Sequence, residues 1–217
     1  MAAPGEADPA RDPMRLAQDE RADLLGLLTR LAPEQWDAPT LCTAWRVRDV
    51  VAHVVSYDEL GPVGLARSFL TGGLRVDRIN QQRVAAYAER SPEELVALVE
   101  AHLRPRGLPA GFGGRIALTD GMIHQQDIRR PLGLPREIPA ERMTVTLDFA
   151  RRSPFIQAPK RIRGLTLVAT DLDWSTGTGP RVEGPAESLL MAIAGRSGVV
   201  GELSGPGRTE LAHRIGG

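Results

Sequence analysis

Several kinds of residue are scarce in this chain of 217 residues, and each scarcity narrows what the protein can be. Cys42 is the single cysteine, so no internal disulfide can form; a disulfide-stapled secreted fold is excluded and a reducing compartment is favoured. Lysine is reduced to Lys160, while 27 basic groups balance 27 acidic ones to a formal net charge of zero. A surface without a basic field does not suit nucleic acid or an anionic membrane, both of which demand surplus Lys and Arg. No apolar run approaches the roughly 18 residues of a membrane span, and the opening MAAPGEADPARDPM has no apolar stretch behind its charges to make an export signal. The expectation is a cytoplasmic protein, monomer or homodimer, with no nucleic-acid or membrane partner. What is present, 42% apolar and 25% charged residues, is the make-up of a globular protein with a substantial core.

The first dozen residues lack apolar periodicity and read as a frayed arm. From Leu16 to Leu31 leucines recur at helical spacing, with Arg21, Asp23 and Arg30 assigned to the solvent side. The segment PEQWDAPTLCTAW reads as a loop ending in an N-cap at Thr43, followed by a helix over about Ala44–Leu60. Further helices are expected over Val76–Glu89, from Ser91-Pro92 to the residues before Pro105, and over Arg115–Arg130, where Pro131 and Gly133 stop the last. Such helices make an antiparallel bundle. Beyond Pro135 a helix over Ala140–Arg152, β alternation over Leu165–Thr170, a second short strand near TGTGPRVEGP and a helix from Pro185 to Gly195 make a small α+β unit. The reading is therefore two domains, 14–135 and 136–217.

His53 lies in DVVAHVVSY on a helix apolar over much of its circumference, and a buried imidazole must find a partner. In LTDGMIHQQD, Asp120 and His124 are one helical turn apart on the same face, and Asp127 continues that face. Two bundle helices, one offering a histidine and the other an acid and a histidine, can surround a divalent cation with two imidazoles and a carboxylate. That donor set leaves a position open for water or substrate, as in catalytic zinc. A core histidine on one helix and a simple ion pair on the other is the alternative. Cys42 precedes a helix start yet has no histidine nearby in sequence, and is read as packing rather than as a nucleophile. Trp36 and Trp45 are read as anchors of the loop and helix start. Trp174 could face a cleft, Arg129 and Arg130 could pair with a substrate carboxylate, and Asn80 and Gln81 could line the site. His102 and His213 have no partner spacing and are assigned to the surface.

The string P-T-x-C-x-x-W-x-V-x-D-V-x-x-H ending at His53, the later LTDGMIHQQDIRRPLG, and ATDLDWSTGTGPRVEGPAESLLMAIAGRSGVVGELSGPG together resemble the mycothiol-dependent maleylpyruvate isomerase family from about Leu16 to Gly207. The resemblance implies a DinB-like antiparallel four-helix bundle followed by a small α+β C-terminal domain. It also implies a divalent metal, usually zinc, on His53, Asp120 and His124, with Asp127 an alternative ligand or the group that orients His124. Where the family pattern has glutamate this chain has Asp120, a side chain one methylene shorter. The implied chemistry uses mycothiol as co-substrate: its thiolate adds to a small electrophile, as in isomerisation of a conjugated double bond, or is transferred to it. Asn80, Arg129 and Trp174 are the residues expected to bind substrate or thiol. A non-catalytic metal-binding or regulatory member, and a metal-dependent small-molecule hydrolase, are the alternatives.

Overall fold

Asp12 opens the first helix: its carboxylate accepts the Met14 N–H at 3.0 Å, and Pro13, which has no N–H to orphan, takes the first helical position. The computed structural model describes residues 12–61, 63–66 and 75–216, so the N-terminal arm and most of the connection between 61 and 75 lie outside the described residues. The chain divides after Leu132 into two units and is an α+β protein with a helical bundle at its N-terminal end.

The first unit holds α1 (Pro13–Leu28), α2 (Val47–Ser56), α3 (Val76–Ala85), α4 (Pro92–Ala101) and α5 (Arg115–Leu132). The helix α1 packs on α4 and α5, while α2 packs on α3, α4 and α5. Leu24, Leu27 and Leu28 of α1, the valines of α2 and Leu118, Met122 and Ile128 of α5 are buried in the core, each such side chain contributing about 1.5–3 kcal/mol by leaving water. Glu20 of α1 and Gln125 of α5 are both buried, and Gln125 Nε2 donates to the Glu20 carboxylate at 2.6 Å and to its carbonyl at 2.8 Å. Gly121 admits this approach, since a Cβ there would stand 3.3 Å from Glu20 Cγ.

Two of the boundaries that differ from the sequence reading have a clear local reason. The α2 helix starts at Val47 rather than Ala44, because a turn in which Trp45 N–H donates to the Cys42 carbonyl at 2.8 Å precedes an extended Arg46 at the cap. The cap is thus Arg46, not Thr43, and Asp49 returns its carboxylate to the Arg46 N–H at 2.9 Å. The α5 helix runs through Pro131 and ends only at Gly133, which takes a φ of +65°. Pro131 is tolerated because the one helical bond it deletes, to the carbonyl four residues back, is replaced: the Asp127 carbonyl accepts the Leu41 N–H at 3.1 Å instead.

Arg21 is a correction of another kind. Assigned to the solvent side by periodicity, it is 2% exposed, and its guanidinium grips Asp58 through two bonds of 2.9 and 2.7 Å while also donating to the His102 carbonyl. Asp58 in turn accepts the Arg106 N–H at 2.8 Å, so one buried ion pair ties α1 to the end of α2 and to the chain leaving α4.

The second unit centres on β1 (Thr166–Ala169), flanked by antiparallel β2 (Ser175–Gly177) and parallel β3 (Arg181–Gly184). Register pairs Leu167 with Thr176 on one side and with Val182 on the other. The helix α8 (Ala186–Ile193) lies on β1 and β3 and on α6 (Ala140–Ala150). Asp171 caps α8 from outside by accepting the Ala186 N–H at 2.8 Å. The short α7 (Ala158–Ile162) and the terminal α9 (Arg208–Gly216), which periodicity did not announce, complete the unit.

Removing one member of the buried pair strands the other charge. Arg21→Ala or Asp58→Ala is expected to lower stability to urea by about 3–5 kcal/mol. The double substitution Arg21→Met with Asp58→Leu should recover much of that loss.

Candidate metal centre

The imidazole of His53 projects from the middle of α2 and that of His124 from the middle of α5, and the packing of these helices brings the rings to 4.8 Å between centroids, edge to face at 77°. Both residues are buried, at 6% and 8% exposure. Asp120, one turn before His124, places its Oδ1 3.4 Å from His53 Nε2 and 3.4 Å from His124 Nε2. Its side chain is 36% exposed, so the centre opens to solvent on the carboxylate's side.

The spacing discriminates between two readings of these three groups. A distance of 3.4 Å is long for a hydrogen bond. It matches the separation of ligand atoms around a tetrahedral ion, where bonds of roughly 2.0–2.1 Å set neighbours about 3.3–3.4 Å apart. A second cluster, Cys42 with His124 and Asp127, fails the same comparison. There the Cys42 thiol donates to Asp127 Oδ2 at 3.1 Å and His124 Nδ1 stands 2.9 Å from that oxygen, which are hydrogen-bond lengths. The donor set His53, Asp120 and His124 therefore fits a divalent ion, and Asp127 is placed behind His124.

Asp127 is fully buried, and its contact with Nδ1 of His124 fixes the tautomer that turns the lone pair of Nε2 toward His53 and Asp120. His53 has no such support: its Nδ1 is buried without a hydrogen-bond partner among the described residues. Trp45, half-buried, lies 5.0 Å from the His53 ring and 6.2 Å from the His124 ring, and Tyr57 meets His53 edge-on at 5.9 Å. The Tyr57 hydroxyl donates to Asn80 Oδ1 at 2.6 Å. Burial and the Asp120 charge push this phenol up to about 12, so it keeps its proton. Burial alone would raise the Asp120 carboxyl, but the imidazoles of His124 and His53 override it and hold the group well below the usual carboxylate range. Burial likewise works against charge on His124, and Asp120 with Asp127 reverses it, leaving His124 well above the ordinary imidazole value.

Arg129 is buried with Nε donating to Gln125 at 3.2 Å, Arg130 is half-buried, and Gln81 is exposed on α3. Trp174 is buried in the second unit and gives its indole N–H to Asp148 at 3.2 Å. His213 is exposed, whereas His102 is half-buried with Nδ1 2.9 Å from the Leu98 carbonyl. Sequence reasoning set aside Cys42 and Trp45 and did not single out Tyr57. A signal was present for Tyr57, which follows His53 by one turn.

Residues 17–106 match the family model of the mycothiol maleylpyruvate isomerase N-terminal domain. That match spans less than half of the 217 residues. The family match includes Cys42, Trp45, His53 and Tyr57 and ends before α5, which carries Asp120 and His124. The fold resembles the crystal structure of the mycothiol-dependent maleylpyruvate isomerase, with a TM-score of 0.63 at 15% identity over 92% of this chain and 93% of that one. A crystal structure of a histidine-to-alanine mutant of that isomerase gives 0.62 at 14% identity over the same shares. At such identity the likeness is one of fold. No curated protein sequence matches the chain. Among the described residues no helix is long and apolar enough to cross a membrane.

Two outcomes follow from the arrangement of His53, Asp120 and His124. Asp120 already reaches both imidazoles, so Asp120→Glu is expected to bind zinc no more tightly than the parent, and several-fold more weakly where the longer acid overshoots, in a chelator-competition titration. The second concerns pH. The depressed Asp120 contributes stability above its unfolded value that is lost on acidification, and the raised His124 contributes below its unfolded value and is lost as pH rises through its folded value. In chelator-treated protein both contributions are complete between about pH 4 and 6.5. Zinc requires neutral imidazoles, so the Tm gained on adding zinc should grow as pH is raised from about 5.5 to 8.

Proposed function

We propose that the protein is a metal-dependent enzyme that uses mycothiol as thiol co-substrate and acts as an isomerase or thiol S-transferase on a small, maleylpyruvate-like electrophile in the cytoplasm. The observation that carries this reading is the shared Asp120 oxygen, 3.4 Å from two buried imidazole nitrogens that face it from different helices. The family-model match over residues 17–106 and the fold likeness support it.

His53, Asp120 and His124 would hold the ion, and two nitrogens with one carboxylate suit zinc. When bound there, a divalent ion supplies Lewis acidity that keeps a thiol sulfur ionised at neutral pH. The protein's own groups do the rest. Asp127 keeps the His124 Nδ1 proton and thereby leaves Nε2 free to ligate. Trp45 and Tyr57 wall the imidazoles with aromatic surface and limit water, while the partly exposed Asp120 marks the side from which thiol and electrophile approach. Asn80, already oriented by the Tyr57 hydroxyl, keeps its amide donors for a substrate carbonyl or carboxylate. No protein nucleophile is needed, because the thiol is brought by the co-substrate.

Elemental analysis of untagged protein should find about one divalent ion per chain, lost in His53→Ala and His124→Ala, with Asp127→Asn weakening affinity by about 10–100-fold. Turnover of a conjugated electrophile should require added mycothiol. Turnover without any thiol would point to hydrolysis instead, and an ion-free parent after zinc loading would end the catalytic reading.

A further inference from the structure

Cys42 was the residue whose sequence neighbourhood offered no chemistry, yet the fold delivers it to the back of His124. Its Sγ lies 3.1 Å from Asp127 Oδ2 and 3.8 Å from His124 Nδ1. The Asp127 oxygen that it approaches is the one that meets the imidazole at 2.9 Å, so thiol and ring converge on a single acceptor.

The placement is built into the chain on both sides. On α5, Pro131 has no N–H to offer the Asp127 carbonyl, and Leu41 N–H takes that carbonyl at 3.1 Å. In the loop, Cys42 N–H donates to Thr40 Oγ1 at 3.1 Å and Thr40 Oγ1 donates to the Trp45 carbonyl at 2.8 Å. One residue of α5 is thereby held at its backbone by Leu41 and at its carboxylate by Cys42.

From this convergence we propose that Cys42 is a positioning residue for the metal centre, acting through Asp127 to fix the ring plane and tautomer of His124; the role rests on the function proposed above. Chemistry makes a thiol apt for it. A thiol is a weak donor, so it occupies one lone pair of a buried carboxylate without drawing away the charge that must accept from His124. A hydroxyl can reproduce the donation and an alkyl group cannot, so loss of the donor removes one of the contacts that orient the Asp127 oxygen toward the ring.

Three variants separate donation from packing: Cys42→Ser keeps a donor, Cys42→Val keeps bulk without one, and Cys42→Ala keeps neither. Zinc affinity measured against a chromogenic chelator should fall about tenfold in the Val and Ala variants and stay within about threefold of the parent in Ser. The cobalt-substituted proteins should show the same grouping in their visible ligand-field bands. Equal affinities and equal bands in all four proteins would overturn the proposal, as would a loss that follows side-chain volume, with Val like the parent and Ser like Ala. Nitrogen-15 NMR of the His124 ring in chelator-treated protein gives a readout that needs no ion. The Nδ1 proton should exchange with water faster in Val and Ala than in the parent and Ser, and indistinguishable exchange would sink the positioning role. If the parent fails to bind zinc while the NMR grouping holds, the functional reading fails and the Cys42–Asp127–His124 relay stands.

Discussion

The centre depends on the Asp127 carboxylate, buried without any exposure and meeting an imidazole and a thiol at the same oxygen. A carboxylate in that position is costly unless donors surround it, and here the donors are the groups whose geometry matters. Fixing His124 Nδ1–H against Asp127 leaves a single direction for the Nε2 lone pair, toward the place where Asp120 and His53 meet. The backbone of the same residue accepts from Leu41, so the loop that carries Trp45 is stitched to the helix that carries two of the three candidate ligands. Loosening Asp127 would disturb the ring, the loop and the aromatic wall together.

Around that point the bundle is tied by polar groups as well as by apolar packing. The Arg21–Asp58 pair holds α1 to the end of α2, close in sequence to Tyr57, and the Glu20–Gln125 bonds hold α1 to the middle of α5, one turn on from Gly121. Each is a buried polar contact with its partner in place, and the contact fixes register where leucine and valine alone would permit sliding. Register matters here because His53 and Asp120 sit on different helices, and a slip of one residue would carry a ligand about 100° around its helix.

Much of this was legible beforehand. Helical spacing and the i, i+4 separation of Asp120 and His124 gave the bundle and one half of the donor set, because those are properties of a single helix. That His53 reaches them is a matter of how two helices pack, and only family resemblance pointed there. Arg21 was misassigned because periodicity sorts residues by polarity and does not see that Asp58, 37 positions on, supplies a buried counter-charge. Cys42 was dismissed for the same reason: its partner histidine lies 82 positions away. The extra length of α5 past Arg130 was hidden because a proline stops a helix only when its missing bond goes unreplaced, and Leu41 replaces it.

The two imidazoles of the centre are unequal, and the inequality assigns them different parts. His124 is braced at Nδ1 by Asp127 and so is the more firmly held of the two; His53 has no Nδ1 partner among the described residues and is located by ring contacts with Trp45 and Tyr57, which constrain position more than rotation. Asp120 bridges them from the solvent side with one oxygen, and its shortness relative to glutamate is matched by a spacing of 3.4 Å to both rings. A shorter acid permits fewer rotamers, so what the missing methylene takes away in reach it returns as a narrower choice of position for that oxygen. The centre therefore has a rigid wall on α5, a softer wall on α2 and an opening at the carboxylate between them. On the proposed function, an incoming thiol and electrophile would meet these groups at the opening, where displacing solvent disturbs none of the bonds that hold His124 in place.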